Sequence, residues 1–467
     1  MRERAGLAGR AAGAEDIAVV GAGHVGLPTA AVLAHLGHRV VCGDSDADRV
    51  RRLARGEVPI VEDRLDELVR DGLDSGRLRF VHGAAAAVAD AAFVFLCVPT
   101  PQRPDGSADL AFVEAVAKEI APHLAVGAIV VNKSTVPVGS TLVVERVLAR
   151  ADVVVVSNPE FLREGTAVRD SLQPDRIVVG ADDQAAAARV GSLFAGVQAP
   201  LIVTDAATAE TIKYASNAFL ATKLSFVNAL ASVCEAVGAD VRDVVLGLGY
   251  DHRIGFEYLR PGPGWGGSCL PKDTRALVHL AKHAGEDFPL LRSVIDGNEA
   301  QFDRMAAKVA GALGTGPAGR ELSGVAVAVW GLSFKAGTDD MRHSPAVEVV
   351  CRLVGRGASV RAFDPALRDL QLRRPSAPSQ TLADVLDGQG VVPVPGAESV
   401  AVVDDAYAAC DGAHGVVVLT EWEELRWLDF GEVRRRVARP VIVDTRNLLD
   451  PVALRRMGFT YSGVGRP

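Results

Sequence analysis

Hydrophobic and polar positions alternate along this chain in two distinct patterns. From Asp16, a β-branched run at 17–20 meets a glycine-rich turn at 21–26. A stretch of helical composition at 27–36 follows, closed by Gly37, and then a second apolar run at 39–43 ending on Asp44. Apolar runs recur at 92–98, 128–131, 153–156 and 176–179, each leading into a polar or Pro/Gly loop. Near-continuous apolar strands alternating with helices predict a parallel sheet covered on both faces. Such sheets bind ligands beyond the C-terminal ends of their strands. After Asp205 the pattern changes. Residues 206–238 are rich in Ala, Leu and Val, with no proline and no glycine before Gly238, and predict one helix of about thirty residues, roughly 45 Å long. Helical text continues to about Gly311, interrupted by a loop at 260–267, and a Gly/Pro-rich connector at 311–324 marks a boundary. Beyond it the strand–turn–helix pattern restarts at 325–330, 345–355 and 359–363, with further strands at 416–419 and 441–443. The expected fold class is α/β, with two doubly wound domains (16–205 and 320–467) joined by a long central helix and a helical middle domain (206–311), after a disordered tail at 1–15. The Pro-, Ser- and Gly-rich stretch 373–398 reads as a surface insertion.

Composition narrows the function. At 467 residues the chain has room for about three domains. Its 49% hydrophobic and 23% charged residues are those of a soluble globular protein. A net charge of −8 argues against a nucleic-acid partner, which needs a basic surface to displace counterions. It leaves an anionic small molecule open, because a few local basic residues can serve one. The six cysteines form no CxxC pair and no Cys/His spacing fit for zinc, so neither a metal site nor a disulfide scaffold is expected, and a reducing compartment is. No run reaches the ~18–20 uninterrupted apolar residues of a membrane span, and the first sixteen residues lack the apolar core of a secretory signal. The expectation is a cytoplasmic protein with no membrane partner.

Gly21-Ala22-Gly23-His24-Val25-Gly26 fits GxGxxG. Alone the pattern is weak, but here it follows a strand, opens a helix and is succeeded by Asp44 at the end of the next strand. That is the full dinucleotide-binding arrangement. The glycines let backbone N–H groups reach a pyrophosphate at a helix N-terminus. Asp44 suits a ribose diol and repels a 2′-phosphate, so NAD is expected over NADP; Arg49 nearby works slightly against that preference. His24 reads as a turn residue. The richest loop is GPGWGGSCLPKD at 262–273. A free cysteine is ordinarily a small buried hydrophobe, and five of the six are read so. Cys269 stands after a glycine tract, beside Lys272, which favours a thiolate, and Asp273, which can hold a water or take a proton. It is a candidate nucleophile, with the buried-hydrophobe reading left open. Glu160 and Glu164 in NPEFLREG lie four apart beyond a strand, as an ordinary helix-start pair also would. Lys213 and Asn217 share one face of the long helix, as solvated residues also could. NKSTVP at 132–137, Phe334-Lys335, TDDMR at 338–342 and DTRN at 444–447 all follow strands. Each alone is compatible with surface decoration; their common position at strand ends is the argument against coincidence.

GAGHVG, NKSTVPVG, NPEFLREG, KYASNAFLATK, GWGGSCLPKDT, FKAGTDDMR and DTRNLLD occur in this order from about Asp16 to about Pro451. In this the chain resembles the nucleotide-sugar 6-dehydrogenases, above all those acting on UDP-glucose. The resemblance implies an NAD-binding Rossmann domain, a central domain that dimerises and carries the cysteine loop, and a UDP-sugar-binding Rossmann-like domain. It implies a homodimer or higher homo-oligomer and NAD-dependent, four-electron oxidation of UDP-glucose to UDP-glucuronate, as in polysaccharide biosynthesis. Cys269 would capture the aldehyde as a thiohemiacetal and then a thioester. Lys213 and Asn217 would stabilise the oxyanion, Asp273 would assist proton transfer and hydrolysis, and Thr135 and Glu160 would position water and substrate. Cofactor contacts would come from Gly21, Gly23, His24, Val25, Gly26, Asp44, Arg49, Thr100, Ser134, Thr135, Glu164 and Arg342. Substrate contacts would come from Glu160, Phe161, Leu162, Glu164, Lys213, Asn217, Arg260, Gly266, Lys335 and Arg446, with Arg253 supplied by the neighbouring subunit.

Chemistry agrees with that implication. Taking an alcohol to an acid removes two hydrides, and a cysteine that holds the carbon between them prevents escape of the aldehyde. The chain departs from the family where His24 replaces a common Tyr, Trp265 a Phe and Thr445 a Gly. Trp265 bears on the sugar pocket, and Thr445 on the loop carrying Arg446. Two rivals stand beside the first reading: the same chemistry on GDP-mannose or a UDP-N-acetylhexosamine, and a non-catalytic nucleotide-binding regulator on the same fold.

Overall fold

A computed structural model describes residues 13–103, 105–314, 321–372 and 381–466. The chain divides into two compact units between Ser216 and Asn217. Of the expected tail, residues 1–12 lie outside the described residues, and Glu15 already accepts a hydrogen bond from the Arg39 N–H at 3.0 Å.

In the first unit, eight strands form one sheet: β1 (Asp16–Val20), β2 (Arg39–Asp44), β3 (Leu78–His82), β4 (Phe93–Leu96), β5 (Ile129–Asn132), β6 (Val154–Ser157), β7 (Ile177–Gly180) and β8 (Leu201–Thr204). Their spatial order is 3-2-1-4-5-6-7-8. Side chains alternate across the sheet, so neighbouring residues of β1 serve opposite cores. Ile17 and Val19 pack with Leu27, Leu33 and Phe95, whereas Ala18 and Val20 pack with Val94, Val130 and Val144. The parallel expectation holds except between β6 and β7, which meet antiparallel at Ser157 and Gly180. The segment joining them carries the short helix Ala167–Leu172, whose Val168 packs into the same core as Ile17 and Val19.

In the second unit, β9 (Ala326–Trp330), β10 (Ser359–Phe363), β11 (Val400–Val402), β12 (Val416–Val418), β13 (Val441–Asp444) and β14 (Thr460–Gly463) form a parallel sheet of order 11-10-9-12-13-14. Each sheet reverses strand order around its first strand, the point where doubly wound folds open a ligand crevice. The predicted long helix is one element, Ala206–Val237, 32 residues. The helix Pro289–Leu313 turns Phe302, Met305, Ala306, Val309, Ala310 and Leu313 onto the β9–β10 face, so helical segment and sheet share one core.

The stretch 373–398 is not wholly a surface insertion. Residues 373–380 lie outside the described residues, but Leu382–Gly388 is a helix whose Leu382 and Leu386 are fully buried in that core, and Ala397 joins them. Its apolar residues recur at three- and four-residue spacing, and Thr381 and Asp384 close a capping box at its start. The flanking Pro, Ser and Gly masked this short pattern. The long helix is long and apolar enough to cross a membrane by length and composition, although no uninterrupted apolar run predicted a span.

Candidate active site

In the first unit the glycine loop fits a dinucleotide. A Cβ on Gly26 would stand 1.8 Å from the Gly21 carbonyl oxygen, so the helix Gly26–His35 starts tight against the turn only because this position is glycine. A Cβ on Gly23 would meet nothing within 4 Å and would project into open space over the loop, where a pyrophosphate lies in such folds. His24 and Val25 complete the turn, half-buried. Asp44, buried at the end of β2, accepts the Ala22 N–H at 2.7 Å and the Asp46 N–H at 2.9 Å, while Arg49 stands 3.3 Å from its carboxylate. Two neighbouring strand ends are stitched together by hydroxyls. Thr100 donates to the Thr135 carbonyl at 2.7 Å, and Ser134 donates to the Val98 carbonyl at 2.7 Å.

Beyond β6 the chain turns at Asn158-Pro159-Glu160. Glu160 is buried and accepts Lys213 Nζ at 2.7 Å and the Leu162 N–H at 2.7 Å. Burial opposes its charge, but Lys213, the Leu162 N–H and Lys133 outweigh it and hold the carboxyl below the usual range. The Phe161 ring carries the Arg176 guanidinium 3.6 Å from its centre and Lys213 Nζ at 5.6 Å. Leu162 and Glu164 are half-buried beside them. Glu62, which sequence reasoning did not single out, accepts the Gly165 and Ala167 N–H groups at 2.8 and 2.6 Å and fixes the far end of this loop.

In the second unit Cys269 caps the N-terminus of the helix Leu270–His283, where the dipole favours negative charge. It is half-buried, whereas the other five cysteines are buried. Ser268 Oγ lies 3.5 Å from its sulfur. Asp273, with no exposed surface, accepts Asn217 Nδ2 at 2.6 Å and Lys272 Nζ at 2.6 Å, and its own N–H donates to the Cys269 carbonyl at 2.9 Å. The structure therefore gathers Asn217, Asp273 and Cys269 into one cluster.

The glycine tract before Cys269 is packed. A Cβ on Gly266 would lie 1.9 Å from the His343 carbonyl oxygen, and one on Gly267 would strike the Phe334 ring at 2.8 Å. Trp265 is buried against Ala218, Ala221 and Val294, and Asn298 holds its N–H and carbonyl, each at 2.9 Å. Its bulk is thus spent beneath the loop. Arg446 donates to the Leu419 and Phe334 carbonyls at 2.8 and 3.1 Å and pairs with Glu421 at 3.0 Å. Thr445, fully buried, is tied to the Val418 carbonyl, so its substitution for glycine leaves this strand end anchored. Lys335 stands beside Phe334, half-buried, and Arg342 grips Asp340 through two nitrogens. Arg253 and Arg260 are both exposed, with Arg253 paired to Asp251 at 2.6 Å.

Sequence reasoning also missed Lys133, Asn158, Asn228 and Asn298. Asn228 and Gln301 hold the two backbone faces of Gly262, both at 2.8 Å, from neighbouring helices. Amides inside long amphipathic helices carry no local mark of that duty. Lys133 did carry one: a charge directly after the end of β5.

Comparison with known proteins agrees with this geometry. The NAD binding domain of the UDP-glucose/GDP-mannose dehydrogenase family matches residues 15–198, its central domain 207–300 and its UDP binding domain 328–451. The chain is 42% identical over 461 residues to UDP-glucose 6-dehydrogenase of Rhizobium meliloti (strain 1021), covering 97% of this chain and 99% of that protein. Among solved structures, a UDP-glucose dehydrogenase from the archaeon Pyrobaculum islandicum superposes with a TM-score of 0.82 at 37% identity, covering 99% of this chain and 100% of that one. UDP-D-ManNAc dehydrogenase from Pyrococcus horikoshii superposes with a TM-score of 0.80 at 26% identity, over 96% and 99% of the two chains.

Proposed function

The chain belongs to the UDP-glucose/GDP-mannose dehydrogenase family, and from that membership we propose that it oxidises UDP-glucose to UDP-glucuronate through a covalent adduct on Cys269. Gly23, which leaves room over the loop, and Asp44, with its carboxylate, would hold NAD⁺, which when bound would supply the hydride acceptor for each of the two oxidations. The first removes hydride from C6 and a proton from its hydroxyl, leaving an aldehyde. The Cys269 sulfur adds to that carbon and the oxygen takes up a proton, which gives a thiohemiacetal. Loss of the second hydride and that proton gives a thioester. Water then adds and the C–S bond breaks, returning the thiolate and the acid.

Lys213 and Asn217 stabilise the oxygen as it gains charge, Glu160 and Thr135 orient substrate and water, and Asp273 relays the protons. Lys335 and Arg446 meet the nucleotide end of the donor, and Arg342 the cofactor. The observation that carries this reading is the half-buried Cys269 at a helix N-terminus, joined through Asp273 to Asn217. A regulator without chemistry would have no use for that cluster.

Another surface supports a homo-oligomer. Phe219, Phe226 and Val233 recur every seven residues along the long helix, and all are exposed, with Val237 one turn further. Tyr250 and Phe256 stack edge to face at 5.3 Å, also exposed, on either side of exposed Arg253. A second copy of the chain covers this face and receives Arg253. The polar side chains of the same helix suit a protein interior rather than a bilayer: Asn217 bonds to Asp273, and Lys223 to the Ile254 carbonyl.

The test is NADH produced per sugar across UDP-glucose, GDP-mannose and UDP-N-acetylhexosamines. Two per UDP-glucose is expected. Two per molecule of another donor only would move the substrate, and no turnover on any donor would overturn the enzymatic reading.

A further inference from the structure

Lys133 is a buried lysine outside the roles given above; burial lowers its pKa and Glu160 works against that fall. It follows β5 directly and is 8% exposed. Its ammonium donates to Asn158 Oδ1 at 3.2 Å. Asn158 is held twice more: its side-chain N–H donates to the Val178 carbonyl at 2.7 Å, and its backbone N–H to the Asn132 carbonyl at 3.0 Å. Two residues on stands Glu160, bonded to Lys213.

A single amide oxygen does not compensate a buried ammonium, which needs an anion. The charged or titratable groups that face Lys133 are Glu160 from the β6 loop, Lys213 from the long helix and the Cys97 thiol at the end of β4. Cys97 is a poor anion, because burial pushes its thiol up to about 12. Glu160 therefore faces both lysines.

We propose that Lys133 is a positioning residue for this reaction: through Asn158 and through its charge it holds Glu160 aligned and ionised, so that Lys213 is left to stabilise the substrate oxygen. This rests on the oxidation proposed above. Loss of the Lys133 charge removes one of the two cations that favour the Glu160 carboxylate, so Glu160 takes up a proton at higher pH and the acidic limb of activity moves upward.

The experiment uses the full-length enzyme with UDP-glucose and NAD⁺. In Lys133→Met, kcat falls on the order of 10- to 100-fold with KM changed less than about threefold, and the acidic limb rises by about one pH unit or more. Lys133→Gln, which keeps a donor for Asn158 and removes only the charge, serves if the Met variant does not fold and gives the same displacement. Lys133→Arg keeps the limb where it is in wild type. In a Glu160→Gln background, adding Lys133→Met costs little more. An unmoved limb in the Gln variant, or losses that multiply in the double variant, overturns the proposal. Absence of NADH from the wild-type enzyme would instead bring down the underlying reaction.

Discussion

Asn217 donates its side-chain N–H to Asp273 at 2.6 Å inside the second unit, and Asp273 has no solvent exposure. Its other oxygen is taken by Lys272, so both carboxylate oxygens are committed to donors. Asp273→Asn keeps the shape but turns an NH2 toward one of those donors. Stability is expected to fall by about 1–3 kcal/mol in thermal or denaturant unfolding. Turnover is expected to fall on the order of 10²- to 10⁴-fold, with a sugar adduct accumulating on Cys269 in acid-quenched mass spectra. A variant with wild-type turnover and no adduct would remove Asp273 from proton transfer.

Cysteine reactivity is expected to be confined to one position. Burial pushes Cys97, Cys351 and Cys410 up to about 12 and raises Cys42 as well, and their thiolates are scarce at pH 8. Iodoacetamide on native enzyme should label Cys269 alone and abolish NADH production, whereas all six cysteines react after denaturation. Peptide mapping reads both. Early labelling of any other cysteine would contradict the packing around it.

The buried pair of Glu160 and Lys213 has a pH signature. Glu160 titrates below its ordinary value in the folded chain, so its contribution is present above the unfolded-state pKa and is lost as pH falls through the folded one. Glu160→Gln should cost about 3–5 kcal/mol near neutrality by leaving Lys213 without its anion. The gap to wild type should narrow in acid, below about pH 4. Urea unfolding at several pH values measures it; a gap that widens in acid would reverse the assignment.

Cofactor choice rests on Asp44. It holds the Ala22 N–H and restrains Arg49. Asp44→Ala should lower kcat/KM for NAD by on the order of 10- to 100-fold, and should ease the exclusion of NADP as Arg49 becomes available to a 2′-phosphate. Steady-state kinetics with both cofactors decide the matter, and an unchanged NADP rate would mean that another group excludes it.

Much of this molecule was legible from its residues, for identifiable reasons. Strands β1, β4 and β5 announced themselves because both their faces are covered and every turn of the pattern is apolar. β3 and β8 did not. Both lie on sheet edges, where Arg79 and His82 face solvent along β3, and β8 leaves Leu201, Ile202 and Val203 exposed. The helix Leu382–Gly388 was hidden because seven residues are too few to show a period beside Pro- and Gly-rich flanks. In the candidate site, Cys269, Asp273 and Glu160 were singled out because their motifs fall at strand or helix ends, and Lys213 because it shares a face of the long helix with Asn217. Lys133 was missed because the same motif offered Ser134 and Thr135, whose hydroxyls drew the chemistry. Only packing revealed that the lysine beside them is buried.

Gly266 touching the His343 carbonyl, and Gly267 the Phe334 ring, make the glycine tract a wedge rather than a hinge. A hinge would let the cysteine swing while its neighbours stay still. Here any opening must carry the segment from Phe334 to His343 along with it, so the two loops breathe together. Amide deuterium uptake should accordingly rise and fall in step across both, and drugs or mutations that stiffen one will stiffen the other.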